Sequence, residues 1–427
     1  MRLAKLVTAI WLVVTAQPAA AQASPALDQV AQARAADAIA VWHGGKPFAQ
    51  VFAPVFVAAI PEDRFRSLGS QLETQFGTLK GVDSVAPQPA AGTFRIALRF
   101  ERAIAHGEMH LEATAPFRID GFRLSQFDPL GDNADKIVAD LRKFPGVTTA
   151  LLAPLEGGVP LLAFQPDREL AIGSTMKLYV LSALAHQIAA GQRHWGDVVT
   201  LREPSLPSGQ MQDWPRDAPV TLATLATMMI SISDNTATDT LITLVGQAAI
   251  DTEMVASHHA HPESNRPFLT TRQVFQLKGG DDTALQAYPG ASPSERGRRL
   301  SALPSGPLDG VAIASKIGSA PRAIGVEWFA SSRDLAGILD RLRALPDPTT
   351  LQILAVNPGI RPRPAGFDYV GYKGGSEPGV LNLSWLLKTT AGKWYVATLG
   401  WNNPAAALKP NTLELFYSRL LALVPKD

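Results

Sequence analysis

Cysteine is absent from all 427 residues, which excludes a disulfide framework, thiol chemistry and a lipid-modified N-terminal cysteine. Charge is scarce. Only 18% of residues are Asp, Glu, Lys or Arg and the net charge is +1, so no basic surface points to a nucleic-acid partner. Long apolar runs are missing too: Leu6 to Val14 is too short to span a bilayer. No internal repeat is visible. Hydrophobic content of 46% is ordinary for a folded core.

What the N-terminus does have is a basic start, Met1-Arg2-Leu3-Ala4-Lys5, the apolar stretch, and Ala19-Ala20-Ala21 as a small-residue cleavage site. These predict a secretory signal peptide over residues 1–21, hence a protein of the bacterial periplasm or exterior with no stable membrane anchor after cleavage. The remaining chain is long enough for two or three domains. Residues 24–129 form one. Asp28 to Trp42, Pro47 to Ala59 and Glu62 to Phe76 read as helices, and Thr93 to Phe100, Glu108 to Ala113 and Phe117 to Phe127 alternate like strands. Phe94, Ile96, Leu98 and Phe100 point to one face. Helices before a curved antiparallel sheet resemble the NTF2-like and cystatin-like α+β domains, and no acid–base pair stands out here.

Residues 130–427 hold the chemistry. Lys177 is the sole charged side chain between Glu169 and Arg193, in an otherwise apolar helical stretch, and Ser174 lies three residues before it. Three apart on a helix is one turn, so the two share a face. Burial lowers a lysine's pKa toward a neutral amine, which can take the serine's proton. A serine at a helix start also serves as a plain N-cap, so the pair gains meaning only from its context.

That context is Ser233-Asp234-Asn235, in a polar loop between two apolar helices, and Lys373-Gly374-Gly375-Ser376, after a strand-like run over 367–372. In this order, S-x-x-K, S-D-N and K-x-G resemble the signature elements of the class A β-lactamases and penicillin-binding proteins. The flanking pattern agrees: a helix over 135–144, strands over 148–155 and 160–164, further strands over 380–389 and 394–401, and a closing helix over 411–423. The resemblance implies an α/β (α+β) transpeptidase-like domain, an antiparallel sheet flanked by helices, behind the smaller α+β domain. The two-domain layout is similar to that of the β-lactamase-like proteins of clavulanic-acid biosynthesis clusters, which implies an esterase-like activity as well.

Carried over residue by residue, the resemblance makes Ser174 the acylated nucleophile, Lys177 its base and Ser233 the proton donor to the leaving group. Asn235 would bind the substrate amide and Lys177, Lys373 would attract the substrate carboxylate, and the N–H groups of Ser174 and Ser376 would form the oxyanion hole, with Gly375 letting substrate lie along the strand. The substrate implied is a small β-lactam, an ester or a peptidoglycan-like amide, with no metal and no cofactor. Alternatives are a D-alanyl-D-alanine carboxypeptidase or a β-lactam or cell-wall sensor that never turns over.

Two departures stand out. Position 374 is Gly where the family has Thr or Ser, so a hydroxyl that contacts the substrate carboxylate is missing, and Ser376 is the expected substitute. No Glu-x-x-Leu-Asn segment follows Ser-Asp-Asn, so the deacylating glutamate is missing. Glu253 and Glu263 lie in the right region, but their surroundings read as structural or solvated. Weak β-lactam turnover is the expectation. An insertion over 278–321, rich in Gly, Pro and Ser, reads as a loop with the length of a lid. His258-His259-Ala260-His261 with Glu263 is a competing metal motif, but its spacing fits a polar loop better than a helical ligand pair.

Overall fold

The computed structural model describes residues 25–201, 204–306, 310–360, 363–409, 413 and 416–425. The predicted signal peptide lies outside the described residues. The chain divides into two compact units, residues 2–133 with 415–423, and residues 134–414 with 424–427.

In the first unit the helices α1 (Pro25–Trp42), α2 (Phe48–Val51), α3 (Pro54–Ala59) and α4 (Glu62–Phe76) precede a four-stranded antiparallel meander of β1 (Leu79–Pro87), β2 (Thr93–Phe100), β3 (Ala103–Leu111) and β4 (Ile119–Pro129). The helix expected over 47–59 is two short ones, because Pro54 removes a backbone donor and fits only a first turn. Strand β1 was not foreseen. On β2, Phe94, Ile96, Leu98 and Phe100 are all buried while Arg95 and Arg99 face out, as period-2 alternation requires. Phe52, Phe56 and Phe65 add an aromatic core, with Phe52 and Phe56 stacked at 4.6 Å. A C-terminal helix, Phe416–Leu421, belongs to this unit, and Arg419 in it donates to Asp132.

The second unit is built on a five-stranded antiparallel sheet in the order Phe367–Glu377, Val380–Thr389, Trp394–Asn402, Val147–Pro154, Leu162–Phe164. In chain order it contains α5 (Ala134–Leu141), β5 (Val147–Pro154), β6 (Leu162–Phe164), the two-residue β7 (Leu170–Ala171), a 3-10 turn (Gly173–Met176) and α6 (Lys177–Ala189). After β8 (Val198–Thr200) and β9 (Pro219–Thr221) come α7 (Leu222–Ser231), α8 (Asn235–Val245), α9 (Gln247–Ala256) and α10 (Thr271–Gly279). The segment expected to be a long loop over 278–321 instead carries three short helices, α11 (Asp282–Ala287), α12 (Pro293–Ser301) and α13 (Gly310–Ile317). Asp281 and Ser292 cap the first two through side-chain oxygens, which is how short polar segments begin a helix. The unit continues through β10 (Phe329–Ala330), α14 (Ser332–Arg343), α15 (Thr349–Ala355), β11 (Phe367–Glu377), β12 (Val380–Thr389) and β13 (Trp394–Asn402).

Helix α6 is apolar on every side, with Leu178, Tyr179, Val180 and Leu181 at most 1% exposed, so it runs through the core between α7, α8, α9 and α14. Strand β11 runs five residues beyond the expected 367–372. Gly374, Gly375 and Ser376 each pair with the following strand, Gly374 with Leu383, Gly375 with Asn382 and Ser376 with Leu381. Lys373 therefore sits inside an edge strand.

Candidate active site

Strand β7 pairs with β10, and the chain then turns at Gly173, whose φ of +53° favours glycine, into the 3-10 turn that carries Ser174. Edge strand β11 lies directly against this turn. A Cβ on Gly375 would stand 2.0 Å from the Ile172 carbonyl oxygen and 2.5 Å from the Ser174 nitrogen. One on Gly173 would meet the Ser376 nitrogen at 3.2 Å. Glycine at both positions lets the two backbones approach, which sets the Gly375-Ser376 segment against the Gly173-Ser174 turn.

Behind Ser174 the lysines converge on Ser233. Lys177 Nζ donates to Ser233 O at 2.7 Å, Ser233 Oγ at 3.1 Å and Asn235 Oδ1 at 2.8 Å. Lys373 Nζ donates to the same Ser233 Oγ at 3.1 Å and to Gly374 O at 2.6 Å. Ser174 and Ser233 are half-buried, whereas Lys177, Lys373 and Asn235 are buried. The two serines are thus the more open members of this set. Ser233 holds φ at +59°, uncommon for a residue with a Cβ, and sits between two helices that fix it.

No carboxylate touches either ammonium among these bonds, and this sets the electrostatics. Burial pushes Lys177 down from 10.5 to about 7, against the weaker pull of Asp239 and Asp234. Burial, and then the neighbouring Lys177 charge, push Lys373 well below its ordinary value. Near neutral pH Lys177 exchanges between an ammonium that donates all three bonds and a neutral amine, one turn from Ser174 and within hydrogen-bond reach of a second hydroxyl. That is an arrangement for moving a proton.

Asp234, the middle residue of Ser-Asp-Asn, organises rather than reacts. Fully buried, it caps α8 by accepting from Ala237 N at 2.9 Å and ties down the preceding segment by accepting from Gln210 N at 2.6 Å and Met211 N at 2.8 Å. Asn235 Nδ2 donates to Leu206 O at 3.2 Å. The sequence carries a capping signal for Asp234, but nothing in it shows that residues 205–211 wrap the loop.

The other candidates lie in structural roles. Glu253 is buried in an ion pair with Arg341, at 2.6 and 3.0 Å, and accepts from Ser182 Oγ at 2.6 Å. Glu263 is exposed beside His261. His259 is buried, its Nδ1 accepting from His261 N at 3.1 Å while its Nε2 donates to Phe329 O at 3.0 Å, which uses both nitrogens. Among the described residues no three His, Asp or Glu side chains are grouped as metal ligands would be. Missed altogether was a cluster around a third buried lysine, Lys278, whose Nζ meets Glu327 at 2.8 Å and also Glu377 at the end of β11. Its three members are 49 and 50 residues apart, too far for a local spacing signal.

Residues 132–306 match the model of the beta-lactamase enzyme family. No curated protein matches the chain. Solved structures similar to it include a β-lactamase from Sphaerobacter thermophilus, at 21% identity over 68% of this chain and 94% of that one, with a TM-score of 0.46. A β-lactamase from Desulfarculus baarsii shows 19% identity over 68% and 96%, with a TM-score of 0.46. The structure of PBP-A shows 18% identity over 68% and 94%, with a TM-score of 0.47. The three sequence elements thus gather at one point of an antiparallel sheet flanked by helices, in a unit whose residues up to 306 are similar to the beta-lactamase enzyme family.

Proposed function

We propose that this protein is an exported serine hydrolase of the class A β-lactamase type, acting on a β-lactam or a related ester or amide through an acyl-Ser174 intermediate. The observation that carries this reading is Lys177: buried, held near pH 7, bonded to Ser233 and Asn235, and in contact with no carboxylate. Ser174 Oγ attacks the carbonyl carbon and its proton passes to neutral Lys177. The oxyanion is held by the amides of Ser174 and Ser376, a donor pair of which each member contributes about 3 kcal/mol to lowering the barrier. As the C–N bond breaks, Ser233 gives its proton to the leaving nitrogen and regains one from Lys177 across their 3.1 Å hydrogen bond, which restores the neutral amine. Asn235 presents its amide to the substrate, and Lys373 attracts a substrate carboxylate.

Hydrolysis of the acyl-enzyme is the weak step in this reading. Glu253 and Glu263, the two glutamates read as lying in the region after Ser-Asp-Asn, are committed to Arg341 and His261. The small N-terminal unit is proposed as an NTF2-like or cystatin-like packing module.

The test follows intact mass and absorbance together after mixing the protein with a penicillin and a chromogenic cephalosporin. An adduct that decays with product release, and that is lost in Ser174→Ala, supports the hydrolase. A stoichiometric adduct that persists moves the reading to a sensor or a D-alanyl-D-alanine carboxypeptidase, separated in turn by release of D-alanine from a muropeptide. Undiminished turnover in Ser174→Ala removes the mechanism.

A further inference from the structure

Gly374 stands where the resembling enzymes carry a hydroxyl, and the reason lies two residues back on the same strand. A Cβ on Gly374 would lie 2.0 Å from the Tyr372 hydroxyl oxygen and 2.8 Å from its Cζ, so the phenol already fills the volume of that side chain. A serine Oγ at 374 would sit about one bond length, roughly 1.4 Å, beyond that Cβ, which places the phenolic oxygen where the missing hydroxyl would be. A second glycine serves the same ring. Gly359 would drive a Cβ into Tyr372 Cδ1 and Cγ at 2.9 Å. Cross-strand, Trp385 packs on the ring with centroids 5.0 Å apart, and it is itself fixed by a bond from its Nε1 to Pro358 O at 3.2 Å. The phenol is therefore clamped between Trp385 and residue 359, with its oxygen over residue 374.

Residue 374 is also where Lys373 arrives, since its Nζ donates to Gly374 O at 2.6 Å. The Lys373 nitrogen and a phenolic O–H thus flank one residue of an edge strand, an N–H and an O–H donor of the kind that a carboxylate accepts from. Resting on the reading of Ser174 as the acylated residue, we infer that the Tyr372 hydroxyl, not that of Ser376, binds the carboxylate of the substrate. Ser376 is two residues further along the strand, about 7 Å from residue 374 at the rise of an extended chain.

The assignment restricts the substrate class to acyl donors bearing an acidic group near the scissile bond, and it is read from a ratio. Acylation rates of the full chain are measured by intact mass with benzylpenicillin and with its neutral methyl ester, for the parent, Tyr372→Phe and Ser376→Ala. Tyr372→Phe keeps the packed ring and removes only the oxygen. It should slow acylation by the acid about 10-fold or more, the scale of a lost hydrogen bond to a charged group, while the ester stays within about 2-fold of the parent, as it offers no charge to bind. Ser376→Ala should leave the acid-to-ester ratio unchanged. Tyr372→Ala combined with Gly374→Thr, which vacates the phenol volume and supplies a hydroxyl from residue 374, should recover the preference for the acid. Equal rates in the parent and Tyr372→Phe, equal losses with acid and ester, or an acid-selective loss in Ser376→Ala would each overturn the assignment while leaving Ser174 as the nucleophile. A parent that forms no adduct with either compound overturns both readings.

Discussion

Two buried lysine clusters lie four residues apart on the same strand and behave in opposite ways. Lys177 and Lys373 meet neutral oxygens, from Ser233, Asn235 and Gly374, and both are driven toward the neutral amine. Lys278 is buried as completely, at 0% side-chain exposure, but meets Glu327 and Glu377. There burial again works against the charge, yet the two carboxyl groups override it and hold Lys278 above its ordinary value. Burial alone does not decide whether a lysine is a base. What decides is whether a carboxylate comes with it. The unpaired cluster has chemistry to offer, and the paired one fastens the end of β11 close to Ser376.

Replacing each lysine by methionine tests the contrast most directly. Lys177→Met removes the proposed base and should lower acylation by about 10²–10⁴-fold, the range of general-base contributions. Its fold should survive. Three hydrogen bonds at about 1 kcal/mol each are lost, but a shift from 10.5 to about 7 corresponds to roughly 5 kcal/mol of strain on the charged form, which the variant no longer carries. The sign of the pH dependence follows. Between pH 7 and 10.5 the unfolded chain binds a proton at this lysine that the native one does not, so stability rises with pH in this window, and any gain from Lys177→Met is largest below pH 7. Lys278→Met should do the reverse. It strands Glu327 and Glu377 in the core and should cost about 3–5 kcal/mol in urea unfolding. A Lys177→Met variant that unfolds as readily as Lys278→Met would end the contrast.

A smaller effect is expected in the parent. Acylation requires the neutral form of Lys177, so the second-order rate should climb as pH rises through about 7 and level off above it. Stopped-flow acylation between pH 5.5 and 8.5 checks this. A rate flat across the range would mean that Lys177 is not the group that accepts the proton.

The unpaired cluster was legible in the sequence, and the paired one was not. Ser174 and Lys177 are one turn apart, Ser233-Asp234-Asn235 is contiguous, and Lys373 follows a strand-like run, so local spacing exposes each piece. In the first unit α4, over Glu62–Phe76, was legible because apolar residues repeat at helical spacing. Lys278, Glu327 and Glu377 come from α10, the approach to β10 and the end of β11, and only the tertiary fold joins them. Strand β1 hid behind Gly81, Asp83 and Ser84, polar or permissive residues that break an alternating pattern. The strand-like run over 367–372 stopped short of Gly374-Gly375, because glycine carries no strand pattern, and only the fold shows that Tyr372 and the Ser174 turn occupy the space of two side chains.

The least disruptive change sharpens the paired side. Burial, and then the nearby Glu327 carboxyl, raise Glu377 well above the ordinary range of a glutamate, with Lys278 pulling the other way. The direction of that shift favours a Glu377 that keeps its proton while Lys278 bonds to both carboxyl groups. Glutamine is close to an isostere of a protonated glutamate, so Glu377→Gln should cost less than about 1.5 kcal/mol, the worth of one ordinary hydrogen bond. The pH dependence makes the prediction specific. Above about 4.5 the unfolded chain releases the Glu377 proton while the native one retains it, so this group makes the parent less stable as pH rises toward the native pKa. Glutamine has no such proton to release. The cost of Glu377→Gln in urea unfolding should therefore shrink, or turn into a gain, between pH 5 and pH 7. A cost that grows with pH would show that Glu377 is ionised in the native protein and that Lys278 faces two full negative charges.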